Sequence, residues 1–345
     1  MATGSGALST GPDSVVNERR APWQAVPVTV YPLIDLHRHL EGSVRSSTIL
    51  DIATRDGHPF ARVDRPRDLL VAGGPLGGLL PYLAKVDDQI GVLATLDDWR
   101  RAGREAVEDA FNDGLDRVEL RFSPYFIRQQ TGLAPVAVID AVADGVRDGS
   151  RFTRVPVGLI ATILRDLGPD AALEQIRTFL TRRDVWCGVD LAGNEAGFAA
   201  PLFAPAFARA RDAGLPVTVH AGEAAGAESV RAAIEHLGAE RIGHGVRSVE
   251  DPRLLDELAS RGITLEVALT SNTQTGAAPS YREHQIHALL AAGVPVTLNT
   301  DNPRASDVTL AQEFRIARTE VGLSADQLRA VAEQSAKAAF SALRT

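Results

Sequence analysis

The sequence predicts an α/β fold in which eight strand-helix units close into a single (β/α)8 barrel. Three observations predict it. Short apolar runs bounded by turn residues recur about eight times, helix-period segments separate them, and polar residues stand repeatedly where the runs stop. Alternating units also fit an open doubly wound sheet. A TIM-type barrel explains more, because its chemistry lies at the carboxyl ends of the strands. There the chain places His39, residues 119–123 and 190–195, His220, Glu223, His244, Ser271, Asp301 and Asn302.

Residues 1–28 are rich in Gly, Ser, Ala and Pro and lack both the apolar core of a secretory signal and the length of a membrane span. They read as a flexible tail ahead of one barrel domain over 29–345. The first strand is expected at 33–39. The stretch after it, 44–116, exceeds one crossover helix, and its Gly/Leu/Pro run at 71–83 is expected to lie, with extra helices, over the barrel mouth and shield a pocket from water. A helix over 98–113 closes this stretch. Strand 117–122 then leads to helix 135–149, strand 155–163 to helix 170–183, and strand 187–192 to helix 202–213. Strand 216–221 precedes helix 227–237, strand 241–244 precedes helix 251–261, and strand 263–269 precedes helix 284–292. The eighth strand, 295–300, is followed by a helix-like segment over 324–343 that should pack on the barrel exterior. Gly114, Gly214, Gly238 and Gly293 stand just past the last turns of their helices, where a left-handed residue ends a helix most easily.

With 345 residues, 45% of them hydrophobic, the chain can bury a barrel-sized core. A formal net charge of −8 argues against phosphate-backbone binding, so nucleic acid is not an expected partner. No window holds eighteen uninterrupted apolar residues, so no membrane partner is expected either. The single cysteine, Cys187, forms no internal disulfide, offers no cysteine-based metal site and fits a reducing, cytoplasmic setting.

The first strand ends Asp35-Leu-His37-Arg-His39-Leu-Glu41-Gly42. Side chains on a strand repeat every two residues, so His37 and His39 project to one face about 7 Å apart and can converge on one metal ion. A His-x-His pair on an apolar strand is also compatible with a satisfied core pair. His220 and Asp301, at the ends of the fifth and eighth runs, complete a set of nitrogen and oxygen ligands suited to a catalytic zinc. The other histidines, His58, His236, His284 and His287, fall on helices or loops. A two-metal barrel hydrolase would want a bridging lysine at a strand end, yet the lysines are Lys85 and Lys337, neither near one. One zinc per chain is therefore expected, with hydrolysis as the reaction class.

Six stretches in order, from about 33 to 340, resemble motifs of the adenosine/adenine deaminase family: His37-x-His39, Asp190-Leu-Ala-Gly-Asn-Glu195, Val219-His-Ala-Gly-Glu223, Arg241-Ile-Gly-His-Gly245, Thr270-Ser-Asn-Thr-Gln-Thr-Gly276 and Asn299-Thr-Asp-Asn-Pro303. The resemblance implies a zinc barrel that hydrolyses the 6-amino group of a purine, with a small-molecule purine nucleoside as substrate. It further implies that Glu223 donates a proton to ring N1 and that His244 orients the attacking water and takes or shares its proton. Asp301 would hold the metal and accept from the same water. His39 would border the substrate as well as bind the metal, and Gly193 would let the backbone N–H approach N3. Arg121, Ser123, Ser271 and Asn272 also match the family and read as structural.

Two residues depart from the commonest pattern. Asn302 stands where many members carry a second aspartate facing purine N7, and its amide donates at any pH. Glu41 stands where many nucleoside deaminases have an aspartate facing the ribose 5′-hydroxyl, and glutamate is common in relatives acting on free adenine. The motifs around Glu41 look closer to bacterial adenosine deaminases, so adenosine and 2′-deoxyadenosine are the expected substrates. Adenine, a 6-aminopurine nucleoside derivative such as aminodeoxyfutalosine, and a non-catalytic nucleoside-binding barrel are the alternatives.

Overall fold

The computed structural model describes residues 31–340. The expected tail over 1–28 and the end of the segment 324–343 lie outside the described residues. Eight parallel strands follow one another: β1 (Ile34–His39), β2 (Arg117–Phe122), β3 (Val157–Leu164), β4 (Gly188–Ala192), β5 (Thr218–Ala221), β6 (Arg241–His244), β7 (Thr264–Val267) and β8 (Val296–Leu298). They form two four-stranded sheets, β1 to β4 and β5 to β8, each in sequence order. Single parallel bridges, Val189 to Val217 and Arg38 to Asp301, join the two sheets into a closed ring. At the second seam His39 N–H donates to Asp301 O and Asp301 N–H to His37 O, both at 2.8 Å. The barrel is the expected one, and closure excludes the open sheet.

The predicted helices between strands are present, among them Leu96–Asn112, Pro135–Thr153, Gly168–Leu180, Ala204–Asp212 and Pro252–Arg261. Gly114, Gly214, Gly238 and Gly293 all take positive φ, as their positions past helix ends require. Leu96–Asn112 and Pro135–Thr153 cross so closely that a Cβ on Gly145 would lie 2.0 Å from the Arg100 carbonyl oxygen. The segment 227–237 splits into an α-helix, Ala227–Ala232, and a π-turn, Ala233–Leu237.

Two expectations need correction. The run 263–269 is not one strand: β7 stops at Val267 and a helix, Leu269–Thr275, begins two residues later. The eighth strand is three residues long and does not reach 300. Past β7 the apolar run continues through Ala268 and Leu269, and past β8 come the polar Asn299 and Thr300; all four stay buried at the barrel rim after the backbone leaves the ladder.

The barrel interior carries charge. Arg121 on β2 donates to Asp190 on β4 at 3.2 Å and to Glu266 on β7 at 2.7 Å, while Arg241 on β6 pairs with Glu119 at 2.8 Å and Glu266 at 2.6 Å. All five side chains are buried, so each charge needs its partners. Over the carboxyl end lies the helix Leu79–Ile90 with the loop before it, tied down by Leu76 N–H to Gln274 O at 2.9 Å and by a 2.7 Å hydrogen bond between the Tyr82 and Ser306 hydroxyls. The run 71–83 thus sits at the barrel mouth, as expected. No helix among the described residues is long and apolar enough to cross a membrane.

Candidate active site

Period-two geometry on β1 sends His37 and His39 to the same side, and the ends of β5, β6 and β8 bring His220, His244 and Asp301 to meet them. His37 Nε2 lies 3.6 Å and His39 Nε2 3.4 Å from Asp301 Oδ1, and the Nε2 atoms of His39 and His220 are 3.1 Å apart. One donor atom each from His37, His220, His244 and Asp301 falls within a 4.8 Å cluster. His39 is not part of that cluster but borders it through Asp301 and His220, so five candidate donors gather in one site. Two of them, His244 and Asp301, are non-glycine residues at φ of 63° and 61°. Such left-handed backbone costs on the order of 1–3 kcal/mol and is tolerated where function needs the side-chain direction it gives.

Behind the histidines stand partners of two kinds. His37 Nδ1 is 2.7 Å from Glu266 Oε2, and His220 Nδ1 is 3.1 Å from Asp190 Oδ1. Carboxylates accept only, so both rings carry their proton on Nδ1 and turn an Nε2 lone pair into the site. His37 Nε2 is buried with no hydrogen-bond partner, as an atom reserved for a ligand would be. Burial, then the Arg121 charge, holds His37 well below the ordinary histidine range, and burial with His220 does the same for His39. Burial alone would lower His220 too, but the Asp190 carboxylate overrides it and raises the group. Ser271 Oγ donates to Asp301 Oδ2 at 2.6 Å and Asn302 Nδ2 to Asp301 Oδ1 at 2.8 Å, fixing that carboxylate from both sides.

Glu223 Oε2 is 3.6 Å from His244 Nε2, and its Oε1 is buried without a partner. Burial, then the like charge of Asp301, pushes its carboxyl up to about 8, so the group holds a proton at neutral pH. The turn that carries it is clamped by Glu195, whose carboxylate accepts from the backbone N–H groups of Gly222, Glu223, Ala224 and Ala225 at 2.6 to 3.1 Å. Glu223 lines a cavity of about 390 Å³ with Gly78 and Leu79 from the mouth segment and Arg247, Thr275 and Gln285 from the opposite rim.

The remaining predicted residues lie around this cluster. Glu41 is buried, with Oε1 accepting the Ser123 N–H at 2.7 Å and Oε2 unpartnered, and burial lifts it to about 7. Gly193 follows β4 at φ 104°, a backbone conformation that favours glycine, and a Cβ there would lie 2.0 Å from Asp166 Oδ2, so that side chain would have to move. Glu266, Asp190 and Glu195 hold His37, His220 and the Glu223 turn in place, and no such role follows from the sequence alone. Glu266 had left a signal, an acid inside an apolar strand.

Eight parallel strands, a cluster of imidazole and carboxylate donors at their carboxyl ends and a protonated buried acid beside it define a metal-dependent hydrolase barrel. Within that class the chain belongs to the adenosine deaminase family, whose model matches residues 32–344. Adenosine deaminase of Edwardsiella ictaluri (strain 93-146) is 45% identical over 301 residues, covering 87% of this chain and 90% of the relative. Among solved structures, an adenine deaminase from Arthrobacter aurescens matches with a TM-score of 0.84 and 27% identity, covering 90% of this chain and 94% of that one. An amidohydrolase from Burkholderia ambifaria with bound Zn also matches at 0.84, with 26% identity over 90% of this chain and 86% of that one.

Proposed function

We propose that this chain hydrolyses adenosine, and 2′-deoxyadenosine, to the corresponding inosine and ammonia, with one zinc ion per chain. The observation that carries the reading is Glu223, buried and protonated beside a converging set of metal donors, in a chain 45% identical to an adenosine deaminase over most of its length. The donor set fits zinc: nitrogen and oxygen only, with an orphaned His37 Nε2 and Nδ1 atoms held from behind. A related barrel hydrolase holds Zn. His37, His39, His220 and Asp301 would be its ligands, and the bound ion supplies a water that ionises near neutral pH.

The side chains then divide the work. Glu223 gives its proton to ring N1, which makes C6 more electrophilic, and His244 orients the attacking water. The Gly193 N–H and the Asn302 amide face N3 and N7, and the free oxygen of Glu41 takes the ribose 5′-hydroxyl. Leu79 and its neighbours keep bulk water from the cavity. We place the reaction in purine salvage in the cytoplasm, where the lone buried thiol of Cys187 stays reduced.

Glu41 favours one second reading, deamination of free adenine, the substrate named for the Arthrobacter relative. Steady-state rates on adenosine, 2′-deoxyadenosine, adenine and 5′-deoxyadenosine separate the two. Adenosine should far exceed both adenine and 5′-deoxyadenosine, because a site that bonds a hydroxyl is left with an unpaired buried group without it. Faster turnover of adenine would overturn the nucleoside assignment.

A further inference from the structure

Five donors converge on one site, yet only four residues are assigned as ligands, and the imidazole to be excluded is identified by what stands behind it. Behind His244 the partner is a carboxamide: Asn272 Nδ2 lies 3.0 Å from His244 Nδ1. An amide can present either its N–H or its oxygen, so the direction of this bond must be fixed elsewhere. It is fixed by His284. The backbone N–H of Ile286, which can only donate, points at His284 Nδ1 at 3.1 Å. With Nδ1 accepting, a neutral His284 carries its proton on Nε2, and that atom lies 3.3 Å from Asn272 Oδ1. Burial keeps His284 neutral, pushing it down to about 3.

Every bond in this chain now has one direction: Ile286 N–H to His284, His284 to the Asn272 oxygen, and the Asn272 N–H to His244 Nδ1. Asn272 and His284 are both buried, so no solvent competes for these atoms. We infer that Asn272 and His284 are positioning residues that lock His244 in the Nε2–H tautomer, opposite to that of His37 and His220. A protonated Nε2 has no lone pair for a metal. His244 is thereby removed from the ligand set, and His39 takes that place. In this state His244 donates to the oxygen of the attacking water and cannot take its proton, which narrows the role that the family resemblance implies. For these three rings the partner behind Nδ1, a carboxylate at His37 and His220 and a carboxamide at His244, sorts ligand from hydrogen-bond donor.

The inference rests on the reading of His244 as the residue that orients the water, but its test does not depend on the substrate. In the metal-loaded protein labelled with ¹⁵N-histidine, two-bond ¹H–¹⁵N correlation spectra report which ring nitrogen carries the proton. His244 should show a protonated Nε2 and a bare Nδ1, with His37 and His220 the reverse. Asn272→Asp places an acceptor of nearly the same shape behind the ring. It should flip the His244 pattern and lower kcat by about 10²-fold with KM little changed, as loss of a positioned donor does. His284→Leu should blur the His244 pattern into both tautomers and lower kcat. His284→Gln, whose amide N–H can replace that of the ring Nε2, should restore both. A native His244 protonated on Nδ1 would overturn the inference even if adenosine is turned over normally, and so would an Asn272→Asp protein with unchanged spectrum and rate. Failure to deaminate adenosine, with the predicted tautomers present, would count against the substrate alone.

Discussion

At the scale of single residues, the site works by giving similar groups opposite protonation. Glu223 and Asp190 are both buried carboxyls. Glu223 has Asp301 as a like-charged neighbour and keeps its proton, whereas Asp190 overcomes its burial through His220 and Arg121 and is held well below the usual carboxylate range. Glu223→Gln should therefore keep the fold and the metal and lower turnover by roughly 10² to 10⁴, since an amide has no proton to pass to N1. Near-normal turnover with metal content unchanged would mean another group protonates the ring. At this scale the sequence was readable where chemistry repeats at strand ends: His37, His39, His220, His244 and Asp301 could all be picked out. The pairing of each with its support could not. Glu266 acts on His37 from 229 positions away, and Asn272 and His284 act on His244 from 28 and 40 positions away, so an acid in an apolar strand or an asparagine in a motif is visible locally while the histidine it serves is not.

Among the elements, the helix Leu269–Thr275 is the clearest case of a structure hidden by an apolar run. It has no capping side chain of its own. Glu313, from the helix Leu310–Ile316, instead accepts its Leu269 and Thr270 N–H groups at 3.0 and 3.2 Å. Burial raises the Glu313 carboxyl from its ordinary 4.5 to about 7. The folded protein thus holds a proton that the unfolded chain releases. The resulting stabilisation is complete below about pH 4.5 and is lost as pH rises through about 7, an effect of at most about 3 kcal/mol. Glu313→Gln keeps an acceptor oxygen but no titrating proton. Chemical denaturation at pH 5 and at pH 8 should show a smaller loss of stability in the variant than in the native protein. Equal losses would mean that Glu313 is already ionised at pH 5.

For the whole molecule, the barrel was legible because each strand-helix unit is written locally, with its own apolar run and helix period and, in several units, a closing glycine. Its closure was not, since the seam of Arg38 with Asp301 joins the first strand to residues just past the last, whereas the other seam, Val189 with Val217, joins neighbouring units. Those seams have a consequence for folding. Two half-barrels meet through one bridge on each side, and the proposed ligands come from both: His37 and His39 from the first half, His220 and Asp301 from the second. A bound ion is then a rivet through both halves, adding its binding energy to the joint. Chelation should speed amide hydrogen exchange at 37–39, 188–190, 216–220 and 299–301 well beyond any change in the paired interior of β2 and β3. A uniform rise across all strands would refute the rivet. Where it holds, a copy of the chain that never acquired its ion is also the copy whose halves part most readily, so proteolysis would remove idle protein first and leave the charged population standing.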